Sequence, residues 1–356
     1  MRIVLSNASK AWGGVHRVTE VLARGLQARG HEVIVYGRPG SMLQERMRGV
    51  APFEPILKGM DLSPRVLWRV RKALRRHRPD VLLALMKKDV RLTVPVARVL
   101  GIPAIVRHAN DQPLSAGPRG RVLYGGTVTH VANAEATRRT ILASAPWLAP
   151  ERVEVIYNGL DPSPFESAGP VALDVPPDAV RFGYVGSFEP RKGLRILAEA
   201  WRSVAEQVPH AHLLFAGKGT DEAALRETLS GVPRVHWLGY RRDVPNVMRA
   251  LDVLVLPSFV EGAPNVVQEA MAAGIAVIAT AVSGTPELVR DSEHGLLVPP
   301  GDAPALAAAI ARLAGDAELR ARLAAAGHAR VRAEFTLERM LDRYEALFER
   351  VVSARG

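Results

Sequence analysis

The chain contains no cysteine among its 356 residues. This absence excludes a disulfide framework and any metal site built on thiolates. The sequence also lacks an uncharged apolar run of about 18 residues, which argues against a membrane-spanning helix. Its first residues, MRIVLSNASKAWGG, lack the long apolar stretch of a signal peptide and lead directly into a strand pattern. We therefore expect a cytoplasmic protein.

Metal-binding spacings are also missing. The sequence has no H-E-x-x-H motif, no cluster of histidines and no D-x-D run that would hold Mg²⁺ on a diphosphate. We expect no metal and no other cofactor. If a diphosphate leaves during a reaction, basic side chains and helix N-termini would have to stabilise its charge.

Acidic residues are scarce in the first half of the chain. Residues 1–160 hold 26 Lys and Arg against 11 Asp and Glu, whereas residues 161–356 hold 21 against 25. Such a split indicates that the two halves face different partners, and the basic half would suit anionic lipid, an anionic acceptor or nucleic acid. We disfavour nucleic acid because no reader motif or basic stretch interleaved with aromatics is present. The sequence carries no signal for an oligomeric state.

Short, nearly continuous apolar runs alternate with helical stretches in both halves. This pattern predicts an α/β protein with two doubly wound parallel sheets, each in its own Rossmann-like domain. Residues 158–178 are rich in Pro, Gly, Ser and Asp and indicate a linker, so we place the domains at 1–162 and 163–335, followed by a helix in 336–356. The predicted strands are 2–7, 31–37, 80–85, 103–108, 130–134 and 153–159, then 180–187, 212–217, 235–239, 252–258, 276–280 and 295–299.

Two glutamates separated by seven residues, Glu261 and Glu269, mark the most informative segment. Glu261 lies on a turn and Glu269 lies inside the apolar helix that follows. Pro264 can occupy the first turn of that helix, which would leave the backbone N–H groups of residues 265–267 free to bind phosphate. A carboxylate further along the helix suits the hydroxyls of a ribose. The segment therefore predicts a nucleotide site.

Arg191 and Lys192 follow the first predicted strand of the second half, after Ser187. They would lie where a loop enters a helix, and a helix N-terminus is an unfavourable place for cations unless an anion is bound. An ordinary pair of solvated cations is the alternative. We favour a diphosphate site, because both side chains would be placed to bind it by charge and hydrogen bonds.

Two features of the first half have simpler interpretations that remain open. Gly13 and Gly14 open a helix soon after the first strand, where they would let the backbone approach a phosphate, or would only form a turn. His108 ends the fourth strand, where it would contact a reacting sugar or serve a structural role.

Residues 62–80 form the most basic stretch. The predicted helix would be an interfacial helix for an anionic membrane surface, or an ordinary helix with a basic solvent face that feeds the next strand. We lean towards contact with a membrane or an anionic acceptor, at the inner face of the cytoplasmic membrane. Its basic residues are Arg65, Arg69, Arg71, Lys72, Arg75, Arg76 and Arg78, and its apolar set is Val66, Leu67, Trp68, Val70 and Leu74.

The ordered set of motifs resembles the family 4 glycosyltransferases, which have the two-domain GT-B fold. The similarity covers nearly the whole chain and is strongest in EGAPNVVQEAMAAGIAVIAT; HEVIVYG, NGLD, RKG and SGTPELV occur in the family's order. The resemblance implies retaining, metal-independent transfer of a hexose from a UDP- or GDP-linked donor. It also implies that the acceptor-binding and donor-binding domains face each other across a cleft, with the last helix packed back on the first domain.

The resemblance assigns roles to individual residues. Glu269 would bind the donor ribose, Glu261 and His108 would contact the transferred sugar, and Arg191 and Lys192 would bind the diphosphate. The backbone of residues 264–266 would support the sugar or phosphate, the first loop would approach the phosphate, and the base would lie at the end of a strand. The further residues implied are Gly13, Gly14, Ser187, Leu238, Gly239, Pro264, Asn265 and Val266.

One position departs from the common family pattern. Many relatives have an arginine where this chain has Ser187, so Ser187 cannot supply that charge. Transferases resembling those of the lipopolysaccharide core instead use a G-S-x-x-x-R-K-G run, which implies that Arg191 substitutes and that the acceptor is an envelope glycan or lipid-linked glycan. The alternatives are a GT-B isomerase or hydrolase of nucleotide-sugars, and a non-catalytic nucleotide-sugar-binding protein.

Overall fold

A computed structural model describes residues 1–9, 13–60 and 63–354. The chain divides into two compact units: unit 1 comprises Met1–Gly159 and Leu337–Gly356, and unit 2 comprises Leu160–Thr336. Parts of two predictions, the start of the basic stretch at Leu62 and the end of the last segment at residues 355–356, lie outside the described residues.

Unit 1 is built on a seven-stranded parallel sheet with the order β3-β2-β1-β4-β5-β6-β7. Its strands are β1 (Arg2–Asn7), β2 (Glu32–Gly37), β3 (Phe53–Glu54), β4 (Val81–Ala84), β5 (Ala104–His108), β6 (Thr129–Ala132) and β7 (Val153–Val155). Its helices are α1 (Gly14–Ala28), α2 (Met42–Arg46), α3 (Pro64–His77), α4 (Lys87–Val99), α5 (Pro118–Tyr124), α6 (Glu135–Ser144) and the last helix, α15 (Leu337–Ser353).

The two faces of this sheet are covered by different helices. Along β1, Ile3 and Leu5 belong to the core shared with α1 and α15, while Val4 belongs to the core shared with α3 and α4. This alternation follows from the two-residue period of a strand. Both faces are buried under helices, which explains why the strands are nearly continuous apolar runs.

The last helix lies against α1 in unit 1. Arg29 bonds Asp342 at 2.7 Å, and His31 bonds Glu345 at 2.7 Å. Gly25 permits the close approach, because a Cβ atom at this position would lie 2.5 Å from a methyl carbon of Leu341. The packing buries the aromatic side chains of α15 against the sheet.

Unit 2 contains a six-stranded parallel sheet with the order β10-β9-β8-β11-β12-β13. Its strands are β8 (Val180–Val185), β9 (Ala211–Ala216), β10 (Val235–Gly239), β11 (Val253–Leu256), β12 (Ala276–Thr280) and β13 (Leu296–Val298). Its helices are α7 (Ser163–Ser167), α8 (Leu194–Gln207), α9 (Glu222–Thr228), α10 (Val244–Arg249), α11 (Asn265–Ala272), α12 (Thr285–Leu288), α13 (Ala303–Gly315) and α14 (Ala317–Glu334).

The predicted α/β fold with two doubly wound parallel sheets is confirmed, with differences at strand ends. The run 153–159 was too long, because β7 stops at Val155 at the sheet edge, after which the chain turns into the segment that leaves the unit. The linker prediction missed α7, and the two-residue strand β3 is too short to give a pattern. Within the described residues, no helix combines the length and apolar character needed to cross a membrane.

Candidate active site

The order of strands in unit 2 reverses between β8 and β11. These strands are neighbours, with Val253 opposite Phe182. The chain leaves β8 towards β9 and leaves β11 towards β12, so the two connections run to opposite sides of the sheet. Ligands of doubly wound sheets bind at such a point. The two loops here carry residues 186–193 and 257–264, which include most of the charged residues predicted for the site.

An ion pair joins these loops. The ammonium Nζ of Lys192 lies 2.6 Å from the carboxylate Oε1 of Glu261, and only 13% and 6% of the two side chains are exposed. A buried charge is costly unless it is paired, so each of these groups depends on the other. The sequence predicted both residues for the site and did not predict that they bond to each other.

A chain of two hydrogen bonds holds Glu261 in place. The Ser258 hydroxyl donates to Glu261 Oε1 at 2.7 Å, and the Thr280 hydroxyl at the end of β12 donates to the Ser258 carbonyl at 2.5 Å. The bonds from Lys192 and Ser258 therefore both end on Oε1 of Glu261, and Oε2 accepts no hydrogen bond from any residue that the structure describes. Oε2 is the oxygen left to accept a hydrogen bond from a ligand. Sequence reasoning missed Ser258 and Thr280, although Ser258 follows β11 and Thr280 ends β12 at the expected edge of the sheet.

Gly193 allows the two loops to meet. Its φ is +66°, and a Cβ atom there would lie 2.0 Å from the carbonyl oxygen of Pro257. The Phe259 N–H donates to the Arg191 carbonyl at 2.8 Å, which fixes the same junction through the backbone. The glycine in R-K-G is thus required by the contact that places Lys192 beside Glu261.

Arg191 has a weaker partner. Its Nε lies 2.8 Å from Oε2 of Glu189, and both side chains are more than 40% exposed. Exposed pairs of this kind contribute about 0–1 kcal/mol, so a diphosphate can displace Glu189 at little cost. Ser187 contributes its carbonyl to the loop, where it accepts a hydrogen bond from the hydroxyl of Tyr184 at 2.7 Å.

Glu269 lies in α11, and the residue is 5% exposed. The prediction for Pro264 was wrong in detail: Pro264 precedes the helix in an extended conformation (φ −70°, ψ 113°) as its N-cap residue. The prediction of three free N–H groups was also wrong, because Val267 donates to the Pro264 carbonyl at 3.1 Å. Asn265 and Val266 form the first turn, whose end is positive.

The end of β10 carries Leu238 and Gly239. The pairing register with β9 shifts between Trp237 and Gly239, so Leu238 is bulged out of the ladder. Gly239 has a φ of +64°, and its carbonyl accepts the Gly217 N–H at 2.8 Å. A bulged backbone at a sheet edge suits hydrogen bonding to a base.

Lys218 and Tyr240 flank this strand end and were missed by sequence reasoning. The ammonium of Lys218 lies 4.8 Å from the centre of the Tyr240 ring, which is 45% exposed. An exposed aromatic ring beside the bulge is suited to stacking with a base.

In unit 1, the glycine pair lies at the start of α1. Gly13 is the N-cap residue and is extended, and its carbonyl accepts the His16 N–H at 3.0 Å. A Cβ atom at Gly13 would meet nothing within 4 Å, so packing does not require glycine here. Residues 10–12, which precede the pair in the sequence, lie outside the described residues.

His108 ends β5 and pairs with His130 of β6. The Nε2 atom of His108 lies 2.9 Å from Nδ1 of His130, and the ring centres are 5.2 Å apart. Burial lowers the pKa of His108 well below its usual range and lowers the pKa of His130 to about 4. Both rings are therefore neutral at pH 7. Sequence reasoning missed His130, because its partner is 22 residues away.

Among the residues that the structure describes, no group of three or more His, Cys, Asp or Glu is arranged to hold a metal ion. The positive charge of the two loops comes from Lys192 and Arg191.

Two family models match the chain. The model for "Glycosyltransferase Family 4" matches residues 12–164, and the model for "Glycosyl transferases group 1" matches residues 179–316. Together they cover most of both units.

Curated proteins are similar over nearly the full length. The lipopolysaccharide core biosynthesis glycosyltransferase LpsE of Rhizobium meliloti is 29% identical over 337 residues, which cover 93% of this chain and 94% of that protein. A phosphatidyl-myo-inositol mannosyltransferase of Mycobacterium leprae is 31% identical over 337 residues, covering 90% and 88% of the two chains.

Solved structures share the fold. The crystal structure of Anabaena HepE in complex with UDP and glucose matches with a TM-score of 0.83 at 19% identity and covers 98% of this chain and 99% of its own. WaaG, a glycosyltransferase involved in lipopolysaccharide biosynthesis, matches with a TM-score of 0.74 at 18% identity and covers 97% and 99%.

Proposed function

The chain belongs to the family 4, group 1 glycosyltransferases, and we propose that it transfers a hexose from a UDP- or GDP-linked donor to an envelope glycan with retention of the anomeric configuration. The observation that carries the proposal is the buried pair of Lys192 and Glu261 at the switch point of unit 2. Lys192 supplies fixed positive charge for a diphosphate, and Glu261 keeps one carboxylate oxygen for a sugar hydroxyl.

The donor would bind along the carboxyl edge of the unit 2 sheet. Glu269 accepts hydrogen bonds from the ribose hydroxyls, and the bulged backbone at Leu238 and Gly239 contacts the base. The phosphates are contacted by Arg191 and by the first turn of α11, with Pro264, Asn265 and Val266. The position of the charged loops at the switch point supports this arrangement.

We propose a front-face displacement without a metal. Lys192, Arg191 and the positive end of α11 stabilise the negative charge that develops on the leaving diphosphate. A phosphate oxygen of the leaving group takes the proton of the acceptor hydroxyl as the new bond forms on the same face. Glu261 orients the transferred sugar through Oε2, while Lys192 and Ser258 hold its other oxygen.

An anionic acceptor fits the charge of unit 1. The excess of basic residues in residues 1–160 favours a phosphorylated or otherwise acidic glycan. The relatives named for lipopolysaccharide core biosynthesis and for mannosyl transfer to phosphatidyl-myo-inositol support an envelope acceptor. We place the reaction in the cytoplasm, at the inner face of the cytoplasmic membrane.

The test is product analysis with UDP- and GDP-hexoses and a core-type or lipid-linked oligosaccharide. We expect a glycoside whose anomeric proton coupling shows the same configuration as the donor, at a rate that EDTA leaves unchanged. An inverted product would contradict retention, and a loss in EDTA that Mg²⁺ restores would contradict metal independence. Conversion of the donor without an acceptor would favour the isomerase or hydrolase. Binding of the donor without turnover would favour a non-catalytic protein.

We also propose that α3 brings the enzyme to an anionic membrane surface. The predicted apolar face is not available, because Val66, Val70 and Leu74 are buried in the core of unit 1. What remains exposed is the row of basic side chains and Trp68, which is 62% exposed. Docking would therefore be electrostatic, with Trp68 at the interface rather than an inserted helix.

Charge reversal on α3 tests this docking. Arg69→Glu/Lys72→Glu should weaken co-sedimentation with vesicles containing anionic lipid by about 30-fold or more, since each basic residue near the surface contributes about 1 kcal/mol. Arg312→Glu/Arg322→Glu in unit 2 makes the same change in net charge and should have little effect. Equal binding of the wild-type enzyme to neutral vesicles would contradict electrostatic docking.

A further inference from the structure

His108 and His130 lie on neighbouring strands of unit 1. Val106 stands opposite His130 in the register of β5 and β6, and His108 stands opposite Ala132. His130 is fully buried, whereas His108 at the strand end is partly exposed. The planes of their two rings are inclined at only 19° to each other. A ligand can therefore reach the ring of His108 but not the ring of His130.

The hydrogen bonds determine where the protons are. His130 Nε2 lies 2.8 Å from the carbonyl oxygen of Tyr124, which can only accept, so this nitrogen carries the proton. A neutral imidazole has one N–H, so His130 Nδ1 is an acceptor. The partner at 2.9 Å, His108 Nε2, must then donate.

The same reasoning fixes the outer nitrogen of His108. Because the ring is neutral and its proton is on Nε2, Nδ1 has only a lone pair. Nδ1 receives no hydrogen bond from any residue in the described parts of the chain. The nearby cations Arg107 and Lys87 further oppose a second proton on the ring. His108 therefore presents an acceptor and no donor.

We propose that His130 is a positioning residue that fixes His108 as the Nε2–H tautomer, so that His108 selects a transferred sugar bearing a hydroxyl at the contacted position. This inference rests on the proposed function and on the contact between His108 and the transferred sugar that the resemblance to the family implies. A hydroxyl can donate to Nδ1. A deoxy carbon or an O-methyl group has no proton to donate to Nδ1. A carboxylate has only lone pairs, which would repel the lone pair of Nδ1.

The tautomer is measured directly on the full-length enzyme without ligand. Two-bond ¹H–¹⁵N correlation spectra at pH 7.5, assigned through His108→Gln and His130→Gln, should show a protonated Nε2 and a bare Nδ1 in His108. A protonated Nδ1 in His108 would overturn the proposal. This result does not depend on turnover, so it stands apart from the proposed function, which fails if no nucleotide-hexose is transferred.

The selectivity is tested with His130→Leu and His130→Gln. Leucine removes the acceptor, so His108 should move its proton to Nδ1, and kcat/KM for the preferred hexosyl donor should fall by about tenfold or more. The preference for that donor over its singly deoxygenated analogue at the contacted carbon should fall by the same factor. The Kd for the nucleoside diphosphate alone should not change.

Glutamine separates this role from simple packing. Its amide can donate to the Tyr124 carbonyl and accept from His108, so His130→Gln should keep most of the wild-type discrimination. A purely structural role would lower the melting temperature of both variants and leave the hexose-to-deoxyhexose ratio unchanged. An unchanged ratio in His130→Leu would overturn the proposal.

Discussion

Replacing Lys192 with methionine is expected to lower kcat for sugar transfer by about 10²–10³-fold, the loss typical for removal of one preorganised group that stabilises charge in a transition state. Lys192 lies on the loop after β8, and its side chain is 13% exposed. Its ammonium is held by the carboxylate of Glu261 at 2.6 Å. A charge already held in place needs no reorganisation when the diphosphate leaves. The measurement is single-turnover transfer at a saturating concentration of donor.

The same substitution also affects stability. It leaves the carboxylate of Glu261 buried without its cation, and removal of one partner of a buried pair costs about 3–5 kcal/mol. Denaturant unfolding should therefore show a clear loss for Lys192→Met. Arg191→Met is the matched comparison, because its pair with Glu189 is exposed and its loss should cost about 1 kcal/mol or less.

The double variant Lys192→Met/Glu261→Gln separates the two effects. Glutamine keeps the shape of Glu261 and can still accept the hydrogen bond from Ser258, so the double variant should regain much of the lost stability. We expect it to stay inactive, since the cation is still missing. Recovery of transfer in the double variant would show that Lys192 serves only as a structural counterion.

The sequence predicted the charged residues of the site, and their mutual contact emerged only from the fold. Lys192 and Glu261 are 69 positions apart, and neither periodicity nor local charge brings them together. Their contact depends on β8 lying beside β11 and on Gly193 passing within van der Waals range of Pro257. Strand order is a property of the whole sheet, so a local pattern does not reveal it.

Helical periodicity predicted α3 correctly but did not decide between the two alternatives for its apolar face. The residues Val66, Val70 and Leu74 have the spacing of one helix face, which is equally suited to a membrane interface and to a protein core. They are buried in a core of unit 1 that also contains residues of α4 and of the sheet, and Trp68 alone of the larger apolar side chains of the helix is strongly exposed. Composition could not distinguish the two outcomes, because both remove the same apolar side chains from water.

Replacing Glu269 with alanine is expected to raise the Kd for the nucleoside diphosphate by about 10–150-fold, equivalent to about 1.5–3 kcal/mol for the loss of a hydrogen bond to a charged group. Glu269 lies in α11, after the loop that carries Glu261, and it is 5% exposed. Water therefore competes little with a ligand for its carboxylate. Isothermal titration with UDP and GDP gives the Kd values. Glu293→Ala, which removes an exposed glutamate of the same unit, should leave them unchanged.

The nucleotide itself can show which of its groups Glu269 binds. If the carboxylate accepts both ribose hydroxyls, the wild-type enzyme should bind a 2′,3′-dideoxynucleoside diphosphate as weakly as Glu269→Ala binds the normal one. The substitution should then have little further effect on the dideoxy ligand, because the partner groups are already gone. Equal weakening of both ligands by Glu269→Ala would mean that the residue acts on α11 or the phosphates, and the ribose assignment would be wrong. The comparison uses binding alone, so it decides the role of Glu269 even before the transferred sugar and the acceptor are identified.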